Sequence, residues 1–315
     1  MPQGHLRWGA EGLWQALSPL MPGLSVEVLP SIGSTNSELL ARVRGDARGR
    51  SGERHDDAGT ASGRADGRSV PFGRRGIDVQ PCLLVAEHQT QGRGRQGKDW
   101  QSQPGLSLTF SLVLPLQPAD FSGLSLAVGL ALADALEPAA TGTVTAPAPR
   151  PRLGLKWPND LLLRDPGEPS LGRKLGGILI ETVQAGGLRL VVVGVGLNVL
   201  PLPLSASGPA LSHGQANLQE LLPGIDAPAA LARVAPVLVR ALLAFEREGF
   251  APLAARFAER DVLRGQTVTT TLADVPQGVA DGVDGSGTLW LRLPDGERRA
   301  VASGEVSIRR APAHG

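Results

Sequence analysis

The sequence predicts a mixed α/β core followed by a small all-β domain, with the boundary near residue 262. Up to that point, aliphatic runs of strand length alternate with segments of helical spacing. From about Gly265 onward only short strands remain, separated by Gly- and Asp-rich turns. The 315 residues suffice for one large domain plus a small one.

Taken in order, Gly9 to Leu20 reads as a short helix and Ser25 to Leu29 as a strand entering a Ser-Thr-Asn turn. Thr35, with Glu38 three residues on, has the pattern of a capping box and opens a helix to about Val43. The stretch from Gly45 to Gly76 is Gly, Arg, Asp and Ser with hardly an aliphatic residue, too polar to offset its ordering entropy. It is expected to be a disordered insertion over 45–76. Cys82 to Glu87 and Leu106 to Leu114 are buried strands, and Ser122 is placed to cap a helix ending at Leu136. Pro138 to Pro151 is an exposed loop. Strands follow at Gly154 to Trp157, Gly177 to Glu181 and Leu188 to Val195. Leu231, Val234, Leu238, Leu242 and Phe245 keep helical spacing, with Pro236 expected to kink or interrupt that helix. Five short strands then form a barrel-like unit over 263–315, with turns at Asp284-Gly285 and Asp295-Gly296.

Composition excludes several classes. A formal net charge of +1 gives no case for a general nucleic-acid or membrane surface. One cysteine, Cys82, permits no internal disulfide and fits a reducing cytosol. No signal pattern is present, and no apolar run approaches the length of a membrane span. The five His are scattered and form no zinc motif. The expectation is a soluble cytoplasmic protein.

Of 31 Lys plus Arg residues only three are Lys, and each lies in a motif. Lys98 is in GRGRQGKDW, Lys156 in KWPND and Lys174 in RKLGGILIE. Three of the four Asn, Asn36, Asn159 and Asn198, lie in STN, KWPND and GVGLN. In a chain so rich in Ala, Gly, Pro and Arg, the surviving Lys mark places where a compact, tunable charge cannot be replaced by Arg.

Gly92, Gly94 and Gly97 spell GxGxxG after a strand. A dinucleotide-binding turn needs a helix directly afterwards, and Pro104-Gly105 would stop one. With Arg93, Arg95 and Lys98 interleaved, the run suits an extended anionic ligand: glycines let backbone N–H groups approach oxygens while the cations offset charge. A flexible hairpin with solvated Arg is the alternative reading.

STN, AEHQTQGRGRQGKDW, KWPND, RKLGGILIE and GVGLN, in this order and spacing, closely resemble the biotin–protein ligases. GVADGVDGSGTLWLRL resembles that family's SH3-like β domain, and the resemblance covers roughly Val26 to Arg310. It implies a mixed-sheet catalytic core (1–262) related to class II synthetases and lipoate ligases. Two departures stand out. The thirty-odd residues ahead of STN cannot hold the winged helix-turn-helix of the DNA-binding members, and the polar insertion is peculiar to this chain or its relatives.

The resemblance further implies activation of biotin with ATP and Mg²⁺ to biotinyl-5′-AMP, then transfer to a Lys of a biotin carboxyl carrier protein. Lys174, Arg95 and Asp160 would be catalytic. Ser34, Thr35, Asn36, Gln89, Gly92, Arg93, Lys174 and Gly177 would hold biotin. Arg93, Arg95, Lys98, Trp100, Asn159, Gly194, Gly196 and Asn198 would hold ATP and the adenylate, while the Mg²⁺ ligands stay unassigned. Asp160 would act as a base on the carrier Lys or position it; the alternative is a turn after a strand. Ordering the eight or so residues from Gly92 to Asp99 costs on the order of 8–16 kcal/mol, which ligand contacts must offset. The rivals are a lipoate or octanoate ligase and a non-catalytic biotin sensor. No nucleic acid or membrane is expected as partner, and a homodimer through an exposed sheet fits the family.

Overall fold

The computed structural model describes residues 6–52, 80–138, 150–167, 171–185, 187–202, 214–270, 272, 275, 277–301 and 309–310. A seven-stranded mixed sheet forms the centre. Its strands are β1 (Ser25–Ile32), β2 (Cys82–Gln89), β3 (Ser107–Pro115), β4 (Leu153–Lys156), β5 (Asp160–Leu163), β6 (Arg173–Ala185) and β7 (Leu188–Asn198). They lie in the order β1-β2-β3-β7-β6-β5-β4, with β1 and β2 parallel and every other neighbouring pair antiparallel.

The strands are near-continuous aliphatic runs because both faces are covered. In β7, Val191, Val193 and Val195 face the main core, while Leu190 and Val192 face a second cluster on the opposite side. That second cluster is completed by Leu39, Leu40 and Val43 of helix α2 (Thr35–Gly52). The main core takes side chains from α1 (Ala10–Leu17), α3 (Leu124–Leu136) and α4 (Ala227–Glu248), and α3 packs on α4. A short α5 (Ala254–Arg260) then leads to a five-stranded antiparallel sheet of order β11-β10-β9-β8-β12. Its members are β8 (Thr267–Thr269), β9 (Gln277–Val283), β10 (Leu289–Arg292), β11 (Arg298–Val301) and β12 (Arg309–Arg310).

Several expectations are corrected. Helix α2 runs on to Gly52, so it enters the polar stretch by a full two turns; a helix already docked by Leu39, Leu40 and Val43 needs only propagation, not nucleation. The remainder of the expected insertion, 53–76, lies outside the described residues, as does most of the Pro138–Pro151 loop. Ser34, not Thr35, occupies the cap position: its hydroxyl accepts from Ser37 N at 3.5 Å. Ser122 does not cap α3; Gly123 stands there with φ 77°. Pro236 does not interrupt α4, because the buried row Leu231, Val234, Leu238, Leu242 and Phe245 outweighs the roughly 3 kcal/mol such a residue costs. The same helix is long and apolar enough, by length and composition, to cross a membrane, although that row is buried within the protein. Asp160 opens a strand, β5, that the sequence reading missed.

Candidate functional site

The motifs converge at the end of the sheet where β2 and β7 finish and β6 begins. The turn after β1 delivers Ser34, Thr35 and Asn36, all buried, to the start of α2. Gln89, the last residue of β2, reaches across to them: its Oε1 accepts from Thr35 N at 2.7 Å and from Thr35 Oγ1 at 3.1 Å. A side-chain oxygen from another strand thus satisfies one of the orphan donors of the α2 N-terminus. Ser111 of β3, not singled out from the sequence, completes the cluster by donating to Thr35 Oγ1 (2.6 Å) or Asn36 Oδ1 (2.5 Å). Asn36 Nδ2 in turn donates to Leu179 O (3.2 Å) and Glu181 Oε2 (3.0 Å) on β6. A hydroxyl inside an alternating strand such as LSLTFSLVL was the available hint for Ser111, yet nothing in spacing says what it faces.

The glycines of GVGLN have a steric reason. A Cβ on Gly194 would lie 2.2 Å from Asn36 Oδ1, and one on Gly196 would lie 2.4 Å from the Trp100 indole. What approaches β7 at these positions is therefore the protein's own Asn36 and Trp100. Trp100 closes the glycine-rich loop, where Trp100 N donates to Gly92 O (2.9 Å) and Gly94 N to Lys98 O (2.6 Å). A Cβ on Gly92 would sit 2.2 Å from the Trp100 carbonyl oxygen, so this hairpin closes only around glycine. The Trp100 Nε1–H is buried against Gly196 without an acceptor, at a cost of about 1–3 kcal/mol.

The loop's cations point inward to different degrees. Arg93 donates to Ser37 Oγ at 3.2 Å and lies 3.7 Å from Glu181. Arg95 is half-buried; burial holds its guanidinium below the ordinary value, and the charge of Asp160 works against that shift. Lys98 is exposed. A cleft of about 850 Å³ opens beside the loop, lined among others by Ser34, Ser37, Gln89, Gly92, Arg93 and Trp100.

Lys174 and Asp160 form the other half. The β5–β6 register sets Asp160 opposite Gly177, and Lys174 Nζ lies 2.8 Å from Asp160 Oδ1. Gly177 leaves room for the pair: a Cβ there would stand 3.6 Å from Asp160 Oδ1 and 3.8 Å from Lys174 Nζ. The Lys174 backbone is clamped. Its N–H donates to Gly214 O (3.1 Å), and its carbonyl accepts from Ala216 N (2.9 Å) and Asn198 Nδ2 (3.3 Å). Asn198 also donates to Ala216 O, so its amide nitrogen holds strand β6 in place. Arg173 fixes the same strand end through Asp165 (2.6 Å) and Glu220 (2.5 Å). Hydrogen bonding to Arg173 holds both those carboxyls below their ordinary range. Asn159 donates from Nδ2 to Ile178 O at 2.9 Å and accepts from Ile178 N at 3.0 Å.

Contacts thus link Thr35, Asn36, Gln89, Arg93, Trp100, Gly194 and Gly196 around one half of the site and Lys174, Asp160, Gly177 and Asn198 around the other, whereas Lys98 is exposed. Among the described residues no group of three or more His, Cys, Asp or Glu could hold a metal ion.

Residues 79–198 match the Biotin/lipoate A/B protein ligase family, and 264–309 match the Biotin protein ligase C terminal domain. The chain is 32% identical to the bifunctional ligase/repressor BirA of Escherichia coli, over 92% of this chain and 76% of that protein. It is 34% identical to the biotin–[acetyl-CoA-carboxylase] ligase of Mycobacterium tuberculosis, over 89% of this chain and 88% of that one. In fold it is similar to the biotin protein ligase of Aquifex aeolicus solved with biotin and ATP (TM-score 0.62, 23% identity, 91% of this chain and 99% of that chain).

Proposed function

The chain belongs to the biotin–protein ligase family, and from that membership we propose how its residues make biotinyl-5′-AMP from biotin and ATP and pass the biotin to a carrier lysine. The observation that carries the reading is the meeting of two halves: a neutral polar pocket of Ser34, Thr35, Asn36 and Gln89, and a cationic set of Lys174, Arg95 and Arg93. Biotin has a polar ureido ring at one end and a carboxylate at the other, and the two halves match those ends.

Ser34, Thr35 and Gln89 offer hydroxyl and amide groups whose burial demands that ureido N–H and C=O find partners. Gly92 and Gly177 keep the approach open, and Arg93 spans from the biotin end to the phosphate. The first step brings a carboxylate onto the α-phosphate, two anions that repel. Lys174 lowers that repulsion and stabilises the charge that builds on the phosphoryl oxygens; Asp160 holds its ammonium in place beforehand. Mg²⁺ entering with ATP would offset the negative charge of the phosphates. Trp100 closes the loop over Gly196, and Arg95, Asn159 and Asn198 lie on the Lys174 side, where the adenylate would pass.

In the second step the carrier amine must shed a proton, and its ordinary pKa is about 10.4. Asp160 is the carboxylate closest to Lys174, and we assign it a part in receiving or orienting that amine. An Asp160→Asn variant that transfers biotin from preformed adenylate at the wild-type rate would end this assignment. The reading extends to a cytoplasmic enzyme that engages neither nucleic acid nor membrane, with residues 1–262 as the catalytic unit and a homodimer formed through an exposed sheet. The direct test supplies ATP, Mg²⁺, biotin and a carrier domain, and looks for a mass increase of one biotin on a single carrier lysine. No increase with an intact carrier would refute it.

A further inference from the structure

We propose that the Asp284–Thr288 turn of the C-terminal sheet is a positioning element for the Lys174–Asp160 pair, acting through Trp157. The proposal rests on the ligase reading for its kinetic test but not for its chemical one.

The connection from β4 to β5 is three residues long, Trp157-Pro158-Asn159, and each end is anchored in a different body. The Trp157 side chain is fully buried and its Nε1 donates 3.1 Å to Gly287 O, a carbonyl of the turn between β9 and β10. Asn159 is tied to the β6 backbone at Ile178 in both directions. The next residue, Asp160, holds Lys174 at 2.8 Å. One short segment therefore runs from the carbonyl of the second sheet to the carboxylate beside the central lysine.

The turn is built to deliver that carbonyl. Asp284 Oδ1 accepts from Ser286 N (2.8 Å), Ser286 Oγ (2.7 Å) and Thr288 N (3.1 Å), and its Oδ2 accepts from Trp290 Nε1 (2.8 Å). Gly287 has φ 80°, and a Cβ there would lie 2.6 Å from the Gly123 Cα at the head of α3. Gly123 is itself at φ 77°, and a Cβ on it would come within 2.6 Å of Phe250. Two glycines thus let the backbones of the two bodies touch where Trp157 reaches across. A buried indole N–H needs an acceptor, and here the acceptor is a carbonyl of the second sheet, not of the central one. That bond fixes where the Trp157–Asp160 segment sits, and a displacement of order 1 Å at reacting groups costs about 100-fold in rate.

Two variants test this. Trp157→Phe removes the donor and keeps a ring; Gly287→Ala drives the turn away from Gly123. The chain has only three lysines, so acylation with an acetyl ester can be mapped residue by residue, and exposed Lys98 serves as an internal control. The expected result is several-fold faster acetylation of Lys174 in both variants, about fivefold, with Lys98 unchanged. Single-turnover adenylation should fall about 10- to 100-fold while the biotin Kd stays within about twofold, and the double variant should be no slower than the worse single one. Unchanged Lys174 reactivity in well-folded variants, shown by unaltered thermal midpoints, would overturn the proposal. So would additive effects in the double variant, or rate losses that only track the unfolded fraction. If wild-type protein makes no adenylate from biotin, the ligase reading fails, while the lysine-reactivity result still decides the positioning claim.

Discussion

The sheet floor and the glycine-rich loop hold their charged groups in opposite ways. On the floor, Lys174 is held through its backbone by Gly214, Ala216 and Asn198, through its side chain by Asp160, and through its neighbour Arg173 by two carboxylates. The loop from Gly92 to Trp100 is held mainly by its own hairpin bonds and by Arg93 against Ser37 and Glu181. Charge that must be in place before chemistry sits on strands; charge that must admit and then cover a ligand sits on glycine. The contrast fits a fixed electrostatic site under a cover that moves.

The largest effect should come from breaking the floor. Lys174→Ala removes the fixed cation, and adenylation should drop about 100- to 1,000-fold with the fold intact, measured by single-turnover formation of adenylate. The contact between floor and cover comes next. A side chain at Gly196 would overlap the Trp100 indole, so Gly196→Val should destabilise the closed loop by about 1–3 kcal/mol and weaken ATP binding correspondingly in calorimetry. Altering only the cover should leave chemistry standing but spoil containment. Arg95→Gly is expected to form adenylate yet release it, so bystander proteins are biotinylated several-fold more than by wild type, about fivefold in a blot. Equal bystander labelling would show that the loop does not retain the intermediate.

A smaller effect lies away from both regions. Asp261, at the exit from α5, is buried with Oδ2 unpaired, and burial pushes its carboxyl up to about 6. An acid whose folded-state pKa is raised adds stability below its unfolded value near 4 and loses it as pH rises through about 6. Wild-type protein should therefore lose on the order of 1–3 kcal/mol from this group between pH 4 and 6. Asp261→Asn keeps an acceptor for Leu263 N and should flatten that part of the profile in urea denaturation at several pH values.

Much of this was legible in the sequence, and the misses have physical causes. Lys174, Asp160, Gln89 and the STN turn stood out because Lys and Asn are scarce and the motifs are dense. Strands such as Leu188–Asn198 announced themselves by β-branched runs buried on both faces. Ser111 was invisible because its role depends on the start of α2 lying over β3, a long-range packing no local pattern encodes. Asp160 read as part of a turn because β5 is four residues long, and its pairing with Lys174 emerges only from the β5–β6 register. The continuation of α2 to Gly52 was hidden by composition: Gly, Arg and Asp argue against a helix that tertiary docking at Leu39, Leu40 and Val43 had already nucleated. The reach of Trp157 to Gly287 crosses 130 residues and had no sequence signature at all.

The central claim is that the polar pocket and the cationic floor together recognise biotin as the acid to be activated. Pyrophosphate–ATP exchange with Mg²⁺, run in parallel with biotin, lipoate and octanoate, tests it most directly. Exchange that depends on biotin alone, and is lost in Lys174→Ala, is the predicted result. Exchange driven by lipoate or octanoate, or none with any of the three acids, would contradict it.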